Sequence, residues 1–178
     1  MSEDVTGGIV PDTKDWTWVL ERRCDECGFD PAGVEVAAIG AAVRGYVPRW
    51  QAALGREGVA GRPSPGVWSA LEYGAHVRDV FRVFDGRLAA MLGQDDPPFE
   101  NWDQDAAAVA ARYDLQDPAV VARELAEAGE AIAARWDGVR PGQLDRPGHR
   151  SDGSVFTVST LGTYFVHDVV HHLHDVRA

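Results

Sequence analysis

The sequence has little positive charge. Only one of its 17 basic residues is a lysine, Lys14, and 28 acidic residues give a net charge of −11. A negative field of this kind repels the phosphates of nucleic acids and anionic lipid headgroups. We therefore expect neither a nucleic acid nor a membrane as a partner, and a small molecule as the substrate.

The sequence also has no long apolar run. None of its segments approaches the roughly 18 to 20 apolar residues that a membrane-spanning helix needs. The first residues, MSEDVTGGIV, lack the basic start and the apolar stretch of a secretion signal. We therefore expect a cytoplasmic location. The excess of arginine over lysine is a bias that GC-rich coding produces, and it favours a bacterial source.

The residues that are present suit one globular domain. The chain has 178 residues, of which 45% are hydrophobic and 25% charged, and these are ordinary globular proportions. Residues 1–30 combine a short apolar piece with a turn-rich segment and predict an irregular N-terminal arm. Residues 31–178 contain four helical patterns separated by loops. This organisation predicts an all-α fold, a four-helix bundle preceded by the arm.

Capping residues predict where the helices start. The start signals of the first three helices are Asp30-Pro31, the capping box Ser69-x-x-Glu72, and Asp117-Pro118. Helix four is expected over about residues 158–176. Pro48 should bend or interrupt helix one, because proline removes a backbone donor and clashes with the preceding turn.

Four of the six histidines fall in the last predicted helix, within VHDVVHHLHDV, residues 166–176. At about 100° per residue, His167, His171 and His174 share one face, whereas His172 points about 140° away from His167. His167 and His171 have the i, i+4 spacing at which two imidazoles converge on one metal ion. Imidazoles at the C-terminal end of a helix can also be solvated, since their positive charge suits the helix dipole.

A third ligand is predicted on helix two. Catalytic metal centres commonly take three protein ligands and leave one position open for water or substrate. His76 is the only other histidine on a predicted helix, and an inward projection would bring it to the bundle core. A lone histidine of this kind is more often a partly buried side chain with an ordinary hydrogen bond. Asp168 and Asp175 could be carboxylates that orient a ligand imidazole, or solvated charges.

Two segments resemble the DinB superfamily of four-helix metalloproteins. They are WSALEYGAH, residues 68–76, and HDVVH, residues 167–171. The superfamily includes thiol-dependent S-transferases and mycothiol-dependent maleylpyruvate isomerases. Its members take one ligand from a Trp-Ser/Thr-x-x-Glu-x-x-x-His segment and two from a His/Glu-x-x-x-His segment. The resemblance covers roughly residues 31–178, and it implies a DinB-like bundle with a metal site of His76, His167 and His171.

The sequence differs from the superfamily's pattern in two places. His174 stands where members of the superfamily often carry glutamine, and it is a candidate fourth ligand or proton carrier. The N-terminal arm with its Cys-x-x-Cys segment lies outside the superfamily's pattern.

The predicted ligands suggest both the metal and the reaction. Nitrogen ligands favour zinc or nickel over magnesium and calcium, and iron and manganese stay open as alternatives. An open position on such an ion holds either a thiolate cosubstrate or a water molecule for hydrolysis. The resemblance favours a transferase that joins a low-molecular-weight thiol, such as mycothiol, to a small electrophilic molecule. In this hypothesis His174 or Tyr164 carries a proton, and Arg78 and Arg82 bind an acidic thiol or substrate, although both arginines are more often surface charges.

Three alternatives stay open. The first is a hydrolase at the same centre. The second is a bundle that binds a metal or a small molecule without catalysis, and the third is a structural bundle without metal. Bundles of this kind often form homodimers, but no sequence feature identifies a dimer surface.

The two cysteines, Cys24 and Cys27, lie in the segment CDECG. As zinc ligands they are half of a structural site, which a donor such as His149 would complete. A redox dithiol is a second hypothesis, although nearby acidic residues offset the arginines that would lower the pKa of a thiol. A structural turn with neither role is the third.

Overall fold

The computed structural model describes residues 9–178, and four long helices form a bundle. The helices, including a short α3, are α1 Ile39–Leu54, α2 Ala70–Gly93, α3 Gln104–Ala110, α4 Pro118–Asp137 and α5 Val158–Asp175. α4 packs against α1 and α2, and α5 packs against α1 and α2. The prediction of an all-α four-helix bundle is confirmed.

Three helix starts follow the capping chemistry of the sequence. At α2 the Ser69 hydroxyl accepts from the Glu72 amide at 3.2 Å, and the Glu72 carboxylate accepts from the Ser69 amide at 2.8 Å. Asp117 caps α4, whose first residue is a proline. Thr157 caps α5 through the amide of Thr160. These three starts lie within one residue of the predicted positions.

The start of α1 corrects the sequence prediction. Asp30 does cap a helical segment, but that segment is only a 3₁₀ turn over Pro31–Gly33. The backbone becomes extended at Val34 and Glu35, and α1 begins at Ile39.

Of the two expected effects of Pro48, interruption of α1 does not occur, since the helix runs through the proline to Leu54. Val43 and Trp50, on either side of the proline, are fully buried. Their packing stabilises the helix across the missing backbone donor.

A small sheet lies beside the start of α5. Its strands are β1 Pro98–Phe99, β2 Pro147–Arg150 and β3 Val155–Thr157. β2 pairs parallel with β1 and antiparallel with β3. β3 leads directly into α5, so the sheet fixes where that helix enters the bundle.

The N-terminal arm is packed against the bundle. It contains a 3₁₀ turn, Trp16–Leu20, that contacts α5. Val19 and Cys24 of the arm are fully buried. Residues 1–8 of the predicted arm lie outside the described residues. Among the helices of residues 9–178, none has the length and apolar character required to cross a bilayer.

Candidate metal centres

Metal-binding side chains gather in two clusters along α5. Within each cluster, one candidate ligand atom from every residue lies within 4.8 Å of the others. The His-Asp-His cluster consists of His76, Asp168 and His172. The Cys-His cluster consists of Cys24, Cys27, His167 and His171.

This arrangement divides the predicted triad of His76, His167 and His171. His76 joins Asp168 and His172, whereas His167 and His171 join the two cysteines of the arm. At about 100° per residue, each residue of the 168/172 pair lies about 100° around α5 from its neighbour in the 167/171 pair. The first pair faces α2, which carries His76, and the second faces the arm. The predicted site leaves out His172 because it points about 140° away from His167. In the structure this side of α5 faces α2, so His172 lies near His76.

The His-Asp-His cluster is built around the Asp168 carboxylate. His172 Nε2 lies 3.0 Å from Asp168 Oδ1, and His76 Nε2 lies 3.6 Å from the same oxygen. The ring centroids of the two histidines are 4.8 Å apart. The other nitrogen of His172 lies 2.8 Å from Asp175 Oδ2. Asp175 therefore orients His172 from outside the cluster. Asp168, expected only to orient a ligand, lies within the cluster itself.

Burial and neighbouring charges set the protonation of this cluster. Burial lowers the pKa of His76 and keeps its imidazole neutral. Burial opposes ionisation of Asp168, but the hydrogen bond from His172 and the nearby imidazole of His76 outweigh it and hold the pKa of that carboxyl well below its ordinary value. Burial also lowers the pKa of His172, yet the hydrogen bonds to Asp168 and Asp175 raise it to about 9. A neutral imidazole and an ionised carboxylate are thus available to a cation, and His172 must release a proton to bind one.

The His-Asp-His cluster fits a divalent cation. His76 is fully buried, and neither of its ring nitrogens has a hydrogen-bond partner within residues 9–178. A buried polar atom without a partner costs about 1–3 kcal/mol, and a cation bound to the ring would satisfy one of the two nitrogens. Two imidazoles and a carboxylate are a donor set that zinc and nickel accept.

Aromatic rings enclose His76. The Trp102 ring stacks on it with centroids 5.3 Å apart and an interplanar angle of 3°. Trp68, which opens the WSALEYGAH segment, packs on it at 5.3 Å. Tyr73 contacts His172 at 5.1 Å. Trp68 and Tyr73 also line the smaller of two cavities beside the cluster, and Trp102 lines the wider one.

These cavities form a cleft next to the cluster. A cavity of about 270 Å³ is lined by Trp16, Asp168 and His172. A wider cavity of about 970 Å³ adjoins it and contains Arg87 and Arg150 in its wall. Tyr164 and Asp168 line both cavities, so the predicted proton carrier Tyr164 lies in the cleft beside the cluster. Burial raises the pKa of the Tyr164 phenol and keeps it protonated.

Arg87 is the cation of the cleft that lacks a counter-ion. It is 7% exposed, and its guanidinium donates to the carbonyl of Glu100 at 2.9 Å. Within residues 9–178 no carboxylate lies within 4.0 Å of it. Burial, together with the nearby Arg150, lowers the pKa of Arg87 to about 10. Arg150 itself pairs with Asp152 at 2.8 Å. Neither arginine belongs to a recognisable motif, so sequence reasoning missed both.

Arg78 and Arg82 do not line this cleft, which corrects their predicted binding role. Two and six residues after His76, they lie about 200° and 240° around α2 from it, on the opposite face. Arg78 is buried and pairs with Asp79 and Glu124. Arg82 is half exposed and pairs with the same two carboxylates.

His174 and His149 are also placed away from their predicted roles. His174 is exposed and lines a separate depression at the C-terminal end of α5, because it lies on the arm side beyond the Cys-His cluster. His149 lies in β2 and pairs with Asp96. The histidines that lie near Cys24 and Cys27 are instead His167 and His171 of α5.

Comparisons with known proteins agree with this fold. YfiT from Bacillus subtilis, described as a probable metal-dependent hydrolase with an unusual four-helix bundle topology, matches the structure with a TM-score of 0.70. The match has 17% sequence identity and covers 82% of this chain and 89% of YfiT. No curated protein matches the sequence. The family model of the DinB superfamily matches residues 40–176, more than three quarters of the chain, and the protein therefore belongs to the DinB superfamily.

Proposed function

We propose that the protein is a divalent-metal-dependent transferase that joins a low-molecular-weight thiol, such as mycothiol, to a small electrophilic molecule. The observation that carries the proposal is the His-Asp-His cluster, with both nitrogens of His76 unpartnered and an open cleft beside Asp168 and His172. Asp168 and His172 keep the acid-x-x-x-His spacing of the superfamily's second segment, with aspartate in the place of glutamate.

The cluster leaves room for a further ligand. It supplies three donors, and zinc or nickel bound by three protein ligands keeps a position for a substrate atom. A cation held there lowers the pKa of a thiol that binds to it, which makes the sulfur nucleophilic at neutral pH. The resemblance to thiol-dependent members of the superfamily favours a thiol over water at that position.

The residues around the His-Asp-His cluster each have a different role in the proposed reaction. Trp68 and Trp102 exclude water around His76. The Tyr164 phenol remains protonated and lines the cleft, so it can donate its proton to negative charge that develops on the electrophile. Arg87 supplies an unpaired positive charge in the wider cavity and suits a carboxylate of the substrate or thiol.

Hydrolysis at the same centre is the second candidate, and it is favoured by the structural likeness to YfiT, described as a probable metal-dependent hydrolase. In this case the open position takes water, and Tyr164 protonates the leaving group.

The test combines metal content with turnover. Protein without a histidine tag is analysed for zinc and nickel, and then incubated with activated esters and small electrophiles, with and without a low-molecular-weight thiol. We expect a thiol conjugate in wild type, and loss of conjugation in His76→Ala and His172→Ala. The control His174→Ala, on the same helix but outside the cleft, should keep wild-type turnover.

Two outcomes would contradict the transferase. Product formation that does not need the thiol would establish the hydrolase instead. Stoichiometric metal without any reaction would leave only a binding role.

A further inference from the structure

The second cluster joins two distant parts of the chain. Cys24 and Cys27 come from the arm, and His167 and His171 come from α5, about 140 residues later. We propose that this Cys-His cluster is a separate structural zinc site that fastens the arm to the bundle. It goes beyond the proposed function, since it shares no ligand with the His-Asp-His cluster.

The distances suit a tetrahedral ion. Cys24 Sγ lies 3.7 Å from His171 Nδ1. Zinc bonds of about 2.3 Å to sulfur and 2.0–2.1 Å to nitrogen, at tetrahedral angles, place those atoms about 3.6 Å apart. All four ligand atoms lie within 4.8 Å of one another. Small side-chain rotations therefore bring the remaining pairs to binding distance.

The backbone turn presents both sulfurs on one side. Gly28 donates to the carbonyl of Cys24 at 2.9 Å, and Cys24 donates to the carbonyl of Phe29 at 2.8 Å. Gly28 has φ of +76°, a left-handed conformation in which glycine carries no steric penalty. Burial raises the pKa of Cys27 to about 11, while the Phe29 amide directed at its sulfur favours the thiolate. A bound cation would favour the thiolate form of this partly buried cysteine.

An unpartnered nitrogen points independently to a ligand. His167 is 4% exposed, and its Nε2 has no hydrogen-bond partner in the described part of the chain. Its ring lies 5.1 Å from that of His171, which matches two imidazoles on adjacent turns turned towards one point. A redox pair of cysteines would explain neither this nitrogen nor the two convergent histidines.

Carboxylates around the cluster can hold His171 in the binding orientation. While His171 Nδ1 faces Cys24, its Nε2 lies 3.6 Å from Glu26 Oε2 and 3.9 Å from Asp175 Oδ1. An imidazole that binds zinc through one nitrogen commonly donates its other N–H to such a carboxylate. With two cysteines and two histidines the coordination is complete, so the site is structural rather than catalytic.

The zinc site would also shape the cleft. Trp16 of the arm packs against His167 and His171 with centroid distances of 5.5 and 5.0 Å, and the same ring lines both cavities of the cleft. Fixing the arm at the Cys-His cluster thus fixes one wall of the substrate cleft.

The test counts zinc ions in the full chain, purified without a tag under reducing conditions and loaded with zinc. We expect the double variant Cys24→Ser/Cys27→Ser to bind one zinc ion fewer per chain than wild type. His76→Ala should lose a different ion, so that the two losses add. His174→Ala, which removes an exposed histidine from the same helix, should lose none.

Cobalt substitution keeps the proposal testable if a variant fails to fold. Cobalt-loaded wild type and His76→Ala should both show thiolate-to-cobalt charge-transfer absorption in the near ultraviolet, and the double serine variant should not. Wild type without this absorption would overturn the proposal, as would a Cys24–Cys27 disulfide found by mass spectrometry in protein that retains all its zinc. If cobalt-loaded wild type shows the thiolate-to-cobalt absorption but the protein has no transferase activity, only the proposed function is refuted.

Discussion

At the scale of single residues, the site is distinguished by buried polar groups whose bonding is incomplete. His76 has two unpartnered nitrogens, and Arg87 has a guanidinium without a carboxylate in the described chain. Buried polar groups in folded proteins are almost always satisfied, so such exceptions mark places where a ligand completes the structure. In the proposed function, a metal ion completes the bonding of His76 and a carboxylate of the substrate or thiol completes that of Arg87.

Arg87 allows a prediction at this scale. Replacing it with methionine removes a hydrogen bond to a charged group, which contributes about 1.5–3 kcal/mol. We therefore expect kcat/KM for a carboxylate-bearing electrophile to fall about 10- to 100-fold in Arg87→Met. Steady-state kinetics with the acidic electrophile and with its methyl ester provide the measurement.

The ester should react equally well with wild type and Arg87→Met, because it has no charge for Arg87 to bind. Arg82→Met is the matched control, since Arg82 lies on α2 outside the cleft. An equal loss with acid and ester would show that Arg87 supports the fold rather than the substrate.

At the scale of secondary-structure elements, a hydrogen bond ties α2 to the segment that precedes α4. Asp79 on α2 accepts from the Tyr113 hydroxyl at 2.6 Å and pairs with Arg78. Burial opposes its ionisation, but the hydrogen bonds from Arg78 and Tyr113 outweigh burial and lower the pKa of Asp79. A carboxyl whose folded-state pKa is lowered stabilises the fold above its unfolded-state value of about 3.9, and that stability is lost as pH falls.

Asp79→Asn should therefore cost about 1–3 kcal/mol in the free energy of unfolding at pH 7. The difference from wild type should shrink as the pH falls from about 5 to 2, because wild-type Asp79 then becomes protonated as well. Urea denaturation across this pH range measures both quantities. Asp145→Asn, at an exposed carboxylate, should leave stability within about 0.5 kcal/mol of wild type. A difference that stayed constant with pH would exclude the charge of Asp79 as its cause.

At the scale of the whole molecule, close helix contacts hold α1 against α4. A Cβ atom on Gly40 would lie 2.8 Å from the backbone carbonyl oxygen of Ala133 and would collide with Asp137. Gly45, on the same helix, is exposed and has open space around it. Alanine substitutions at these two glycines therefore test helix packing and helix propensity separately.

We expect Gly40→Ala to destabilise the protein by about 1–3 kcal/mol, because the helices must move apart. Gly45→Ala should stabilise it by about 0.5–1 kcal/mol, since alanine loses less backbone entropy in a helix. Thermal or urea denaturation of both variants provides the comparison. Stabilisation of both would mean that α1 and α4 are less tightly packed than the structure shows.

Several features of the molecule follow from the sequence alone because their causes are local. A capping box needs only Ser69 and Glu72 three residues apart, and the i, i+4 histidines need only one turn of helix. The bundle, three of the four long-helix starts and the histidine-rich face of α5 were therefore predictable. The start of α1 was not, since Asp30-Pro31 is an equally good cap for a 3₁₀ turn.

The composition of each metal cluster was decided by the tertiary structure. Adjacent pairs on α5, residues 167/171 and 168/172, have identical spacing, and local sequence cannot show which pair faces α2 and which faces the arm. That choice depends on the rotation of α5 about its axis, which is set by packing of its apolar side against the other helices. The same rotation places His167 and His171 beside Cys24 and Cys27, which come about 140 residues earlier in the chain. It also places Asp168 and His172 beside His76.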